Sequence, residues 1–451
     1  MDLGEGLPPS ARLRAMAAVA IAVSMAVLDN AIANIALPTI ARDMATTPAA
    51  TIWVVNAYQF AVTVSLLPLA FLGDIFSYKR IYMVGLAVFT LASLGCALSP
   101  SLPVLVIARV VQGFGGAGIM GVNTALIRFI FPRAQLGRGL GFNALIVATF
   151  SALGPSIAAG ILSIASWHWL FAINVPLGGV ALWLASRVLP ETPRAKHRFD
   201  VPSALLNAAT FGLLITAVDG LGRNQGFTEI SELGAALIVG TIFISRQFAL
   251  TVPLLPVDLF RRPIFALSVA TSICSFIAQT ITYVALPFYF QNVSGQSQVE
   301  TGLLMTPWPA IVVIVAPIAG RLSDRYPAGL LGSAGLALMT GGLVALLLMP
   351  SHASYADIAW RMAISGLGFG FFQSPNNRLL IGSAPRERSG AGSGMLSTAR
   401  LTGQTVGSAL VALSFGIAGP DIAHGTRLAL GLAVSASATG MIVSALRLRA
   451  R

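Results

Sequence analysis

The sequence predicts an all-α polytopic membrane protein with fourteen transmembrane helices. Three observations point that way. The 451 residues are 56% hydrophobic and 10% charged, with a mean hydropathy of +0.81, whereas soluble domains carry about 25% charged residues. The apolar residues fall into fourteen runs of roughly 20, long enough to span a bilayer as helices. The basic residues sit between those runs on alternating sides.

The first run, 14–38, follows Arg12 and Arg14 and contains "AVSMAVLDNAIANIALP" from Ala22. Its start resembles a secretory signal, but the run continues to Pro38 and many spans follow, so a retained helix is expected. Asp29, Asn30 and Asn34 lie inside it. A charge in mid-bilayer costs roughly 2.5–3.5 kcal/mol on insertion scales, so Asp29 should face protein or water. The second run, 50–72, holds Trp53 and Tyr58; the third is 80–99; the fourth, 103–127, holds Arg109 and Gln112. Asp29 lies ~13 Å from the outer end of its helix and Arg109 ~9 Å from its own, so the two can meet. The fifth, 139–163, contains Gly154-Pro155, which frees a carbonyl and permits a bend. Ala158, Ala159 and Gly160 then allow close helix contact. The sixth is 167–188.

Runs seven and eight, 202–220 and 233–250, flank "DGLGRNQGFTEISE", a polar external loop. The ninth, 264–290, carries Phe276, Gln279 and Tyr283, and the tenth, 300–320, carries Trp308. The last four are 329–349, 356–378, 390–417 with Arg400 in its inner half, and 427–446. Asn34, Tyr58, Gln112, Phe276, Gln279, Tyr283, Trp308 and Arg400 form the candidate substrate cavity, because aromatic faces attract flat cations. Each of them taken singly also fits plain packing or an interface anchor. Arg400 fits either a backbone carbonyl partner or an anionic group.

With the N-terminus inside, 22 basic residues fall on the cytoplasmic side and four outside, namely Arg42, Arg223, Arg361 and Arg427. Arg109 and Arg400 remain within spans. The formal charge of +12 and pI of about 10.8 therefore read as topology rather than nucleic-acid binding. Cys96 and Cys274 lie in apolar runs and read as packing residues. There is no Walker A loop, no metal-ligand spacing and no catalytic cluster, so neither an ATP-driven pump nor an enzyme is expected.

Two cytoplasmic loops repeat a pattern: "LAFLGDIFSYKR" after the second run and "PIAGRLSDRYPA" after the tenth. With Leu28, Asp29, Ile32, Asn34, Ala36, Leu37 and Pro38, with "LVIARVVQGFGGA" and with "ALGPSIAAG", the chain resembles the major facilitator superfamily, in particular its fourteen-helix drug:proton antiporter branch. It departs from the branch at Ala31, at Ala158 and Ala159, at His168, and at Ala70, Ile75, Ser77 and Tyr78 of the first loop motif.

The resemblance implies a major facilitator fold with a six-helix bundle in 1–190, an inserted helix pair in 191–262 and a second bundle in 263–451. It implies proton coupling through Asp29 and Arg109, although a static structural pair fits the same residues. It implies a cytoplasmic gate at Asp74, Lys79, Gly320, Asp324 and Arg325, for which plain turn residues are the alternative. It implies an antiporter motif at Gly154, Pro155, Ala158, Ala159 and Gly160. The expected function is a secondary antiporter of the bacterial inner membrane, acting as a monomer with both termini cytoplasmic. It would export small lipophilic drugs or antiseptics, cationic ones included, using the proton gradient and no cofactor. A proton-coupled carrier of a dedicated metabolite is the alternative. One buried acid beside two buried arginines suits neutral or anionic substrates equally well.

Overall fold

The computed structural model describes residues 6–132, 135–192, 194, 199–221, 227–250, 253–255, 257–323, 325–350, 353–382 and 389–448. Their secondary structure is helical, with no strand among them. The helical segments are α1 (Pro9–Asp43), α2 (Pro48–Phe76), α3 (Tyr78–Ala97), α4 (Leu102–Ile130), α5 (Leu136–Ile164), α6 (His168–Val188) and α7 (Val201–Leu221). They continue as α8 (Phe227–Ala249), α9 (Pro263–Val293), α10 (Gln298–Leu322), α11 (Ala328–Leu347), α12 (Tyr355–Gly382), α13 (Ser389–Ala418) and α14 (Ile422–Leu446). Among the described residues, eleven of these are long and apolar enough to cross a membrane. The count is twelve if α5, bent by 43° between Ser151 and Leu153, is one span. The apolar part of α7 is the shorter Val201–Ala217. In α12, Gln373, Asn376, Asn377 and Arg378 dilute the apolar run. The structure therefore gives a many-span helical membrane protein, with these two helices the weakest members of the predicted fourteen.

Local chemistry sets the helix ends. Thr47 caps α2, its hydroxyl accepting from the Ala50 N–H at 3.2 Å, and Pro48 follows at the first helical position, where its missing N–H costs nothing. Ser297 and Glu300 form a reciprocal capping box at the start of α10. Asp421 caps α14 through the His424 N–H at 2.9 Å. Between α2 and α3 the chain turns at Ser77, whose φ of 106° is rare for a residue with a side chain. Thr192 supports that turn, accepting from the Tyr78 N–H at 2.9 Å and pairing with the Ser77 hydroxyl at 3.0 Å.

Glycine seams join the helices pairwise. Gly85 of α3 lies against Gly115 and Gly118 of α4, and Gly335 of α11 lies against Gly368 of α12, so that an added methyl in either seam would meet backbone. Close backbone approach of this kind replaces hydrophobic drive between helices in lipid. The two seams occupy equivalent places in the two halves of the chain. Asp200 and Arg246 pair at 2.9 Å and tie α7 to α8. Burial of Asp200 opposes its ionisation, but hydrogen bonds from Arg246 and Ser203 outweigh that and hold the carboxyl below its ordinary range.

The halves meet at the end of the molecule remote from the chain termini. Gln291 of α9 donates to the Ile35 carbonyl of α1 at 3.0 Å, and Gln298 donates to the Thr39 hydroxyl at 2.7 Å. The Ser156 and Thr306 hydroxyls pair α5 with α10 at 2.9 Å, and Thr63 and Thr405 pair α2 with α13 at 2.9 Å near mid-helix.

Candidate functional site

Asp29 is fully buried in α1, and its carboxylate is held by residues of two other helices. Arg109 of α4 forms an ion pair with Oδ2. Gln112, one turn further along α4, donates from Nε2 to Oδ1 at 2.8 Å, and Asn174 of α6 donates to the same oxygen at 3.2 Å. Positions 109 and 112 share a face because residues three apart on a helix are neighbours. Gln112 also accepts from Arg109 Nη1 at 2.7 Å and donates to the Ser93 hydroxyl at 2.9 Å. Cys96 Sγ lies 3.5 Å from Gln112 Oε1. Arg109 Nε donates to the Val54 carbonyl at 2.9 Å, while Nη2 has no hydrogen-bond partner among the described residues.

Aromatic rings close the site. The Arg109 guanidinium lies 4.3 Å from the centre of the Tyr58 ring and 5.5 Å from that of Phe171. Gly113 and Gly116 make this possible. A methyl at Gly113 would meet the Tyr58 carbonyl, and one at Gly116 the Tyr58 hydroxyl. The whole cluster is buried, where charge pairs interact far more strongly than in solvent.

The structure thus joins Asp29, Arg109, Tyr58 and Gln112, the last two of which were expected in the cavity lining. Asn174, Ser93 and Cys96 complete the cluster. Asn174 stands in "SWHWLFAINVPLG", a stretch that resembles the antiporter branch, but it carries no charge and the sequence gives it no role of its own. Among the other cavity candidates, Phe276 and Trp308 lie inside an aromatic chain that runs Phe276, Phe369, Trp308, Tyr283, with ring centres 5.6 to 6.3 Å apart. Trp308 Nε1 and Asn34 Oδ1 are buried without a hydrogen-bond partner among the described residues. Gln279, Tyr283 and Arg400 are half-buried.

In the expected antiporter motif, α5 bends just before Gly154, which packs against Ala31 beside Asp29 on α1. The Pro155 carbonyl and Ala159 lie against Gly302 of α10, and Ala158 is buried. Gly160 is exposed, with no neighbour that a methyl would touch. Of the expected gate, Asp74 accepts from the Tyr78 hydroxyl and Lys79 pairs with Glu191 at 3.2 Å. Both contacts stay within the first half of the chain. Gly320 lies beside Ser374 of α12, and Arg325 is exposed. Asp324 lies outside the described residues.

Residues 19–408 match the model of the Major Facilitator Superfamily. The chain belongs to that superfamily. Its members are membrane transporters rather than enzymes. The transporter is 56% identical over 451 residues to the uncharacterized transporter YebQ of Escherichia coli K12, covering 99% of each chain. It is 31% identical over 399 residues to the riboflavin transporter RibZ of Clostridioides difficile, covering 88% of this chain and 87% of that one. It is also 31% identical over 405 residues to the multidrug resistance protein Stp of Mycobacterium tuberculosis, covering 89% and 75%. Among solved structures, an inward-facing, unoccupied bacterial homologue of the lysosomal transporter Spinster superposes with a TM-score of 0.69 at 17% identity, covering 99% of each chain, which is a likeness of fold.

Proposed function

We propose that this transporter is a proton-coupled antiporter of the bacterial inner membrane that exports small lipophilic compounds by alternating access. The observation that carries the reading is the buried carboxylate of Asp29, held by Arg109, Gln112 and Asn174. A proton arriving on Asp29 cancels its charge and releases Arg109, whose Nη1 already has Gln112 as an alternative acceptor. Loss of the proton restores the pair. The ion pair therefore has two arrangements, which a transport cycle can couple to substrate movement.

The direction of export rests on the Gly154-Pro155 bend and its contact with α10, together with the likeness to a multidrug resistance protein. In this reading both termini face the cytoplasm, the bundles are 1–190 and 263–451 around the inserted pair 191–262, and a monomer works without a cofactor. Gly320 and the Asp74–Tyr78 and Lys79–Glu191 contacts then sit at the cytoplasmic gate. A dedicated metabolite is the second reading, and the 31% identity to a riboflavin transporter favours it.

The test uses proteoliposomes with a proton gradient and a luminal pH-sensitive dye. Lipophilic cations, neutral drugs, riboflavin and organic anions are added to wild type and to Asp29→Asn. Antiport predicts that at least one compound class collapses the gradient in wild type alone. Equal responses from the two proteins would overturn the coupling role of Asp29. A response to riboflavin alone would select the metabolite reading.

A further inference from the structure

Beside the carboxylate cluster, a further cation lies within the spans. Among the described residues, Asp29 is the acid deep in the spans, and Arg109 already neutralises it. Arg400 sits in α13, eleven residues past Ser389 and so ~16 Å from that end of the helix. It is half-buried, has no hydrogen-bond or ion-pair partner among the described residues, and lies within electrostatic reach of Tyr58. An intramembrane arginine is costly unless it faces a polar path or a counter-charge.

The packing of α13 shows where the guanidinium faces. Gly403 and Gly407 form the stripe against α9, where added methyls would meet the Ile273 and Ile277 carbonyls and Phe276. Leu401 packs in the core of the first bundle, and Thr405 bonds Thr63 of α2. Met395 and Ala399 pack with Phe243 of α8, on a third side. At 100° per residue, Arg400 and Gln404 project together between the α9 stripe and the α2 stripe, opposite the α8 side. That direction is the space between the two halves. Gln404 is likewise half-buried, with no hydrogen-bond partner among the described residues. On α9, Gln279 and Tyr283 share one face, both half-buried and also without a hydrogen-bond partner there.

We infer that Arg400, assisted by Gln404, is the binding site for an anionic group of the substrate, so that the transported class consists of aromatic or lipophilic carboxylic acids rather than lipophilic cations. The inference rests on the transporter reading above and names its substrate class. A guanidinium offers two parallel N–H donors to a carboxylate, and the amide of Gln404 supplies a further donor. The aromatic chain from Phe276 to Tyr283 begins one turn from Arg400, at the Gly403 contact, and supplies apolar surface for the rest of the ligand. A lipophilic cation in this space would meet an uncompensated like charge.

The test is equilibrium binding to the purified full-length chain in nanodiscs, using three probes of one shape: 2-naphthoate, 2-naphthamide and 2-naphthylmethylammonium. Binding is read without a proton gradient, so failure of antiport and failure of this site are separate results. Wild type is expected to prefer the naphthoate over the amide by about tenfold or more and to reject the ammonium. Arg400→Gln should erase the preference, and Arg400→Lys should retain part of it because the charge stays while the fork is lost. Three results would overturn the site: a wild type that binds the amide or the ammonium as well as the acid, a wild type that binds none of the three, or an Arg400→Gln variant that keeps the preference. The wild-type comparison decides even if the glutamine variant fails to fold.

Discussion

At the scale of single residues, the pairing of Asp29 with Arg109 has two separable consequences. Removing one member of a buried ion pair strands the other, at about 3–5 kcal/mol. Asp29→Asn and Arg109→Gln should each lower thermal stability by that order. The double variant should recover much of the loss, because two neutral amides can pair, yet it should carry no protons. Thermal unfolding and dye-reported proton flux on all four proteins check this. Recovered flux in the double variant would make the pair structural. Asn174→Ala is milder: it removes one hydrogen bond to a charged group, worth about 1.5–3 kcal/mol, and should slow transport without abolishing it, as initial rates would show. Asp29 and Arg109 were legible in the sequence because charge in an apolar run is conspicuous. Asn174, Ser93 and Cys96 were not, since small polar residues occur throughout these helices and only their approach in space gives them a role.

At the scale of helices, most of the segments could be placed from apolar length and basic flanks, because the bilayer fixes both. The bend in α5 was likewise foreseeable from Gly154-Pro155. Arg447 was not: its basic character reads as a cytoplasmic flank, whereas the structure buries it among Asn376, Ser268 and Ser444, with no carboxylate partner among the described residues. Burial brings its guanidinium down to about 10, and the network joins the ends of α9, α12 and α14. The Asp200–Arg246 pair between α7 and α8 gives a pH prediction. The folded carboxyl titrates below its unfolded value of about 3.9, so its contribution is complete above that value and is lost as pH falls through the folded one. Hydrogen exchange at the start of α7 should rise below about pH 4 in wild type, and Arg246→Gln should remove that dependence.

At the scale of the whole molecule, the halves are fastened at the end remote from the termini by Gln291 with Ile35, Gln298 with Thr39, and Ser156 with Thr306. Alternating access requires these contacts to part once per cycle. Gly302 sits directly against the Pro155 carbonyl and Ala159, so α5 and α10 approach to backbone distance at that point and leave no room for a lasting gap. The Ser156 and Thr306 oxygens are 2.9 Å apart, close enough for two cysteines placed there to form a disulfide. Ser156→Cys with Thr306→Cys should therefore cross-link under mild oxidant and stop transport, and reduction should restore it. Each single variant should transport under both conditions, since the native Cys96 and Cys274 are unbridged. Transport that continues in the fully cross-linked protein, quantified by the mobility of an intervening-loop-cleaved chain on non-reducing gels, would show that the substrate path does not open between α5 and α10. Arrest that reverses on reduction would place the moving interface there, and with it the route to Arg400 from the opposite end of the molecule.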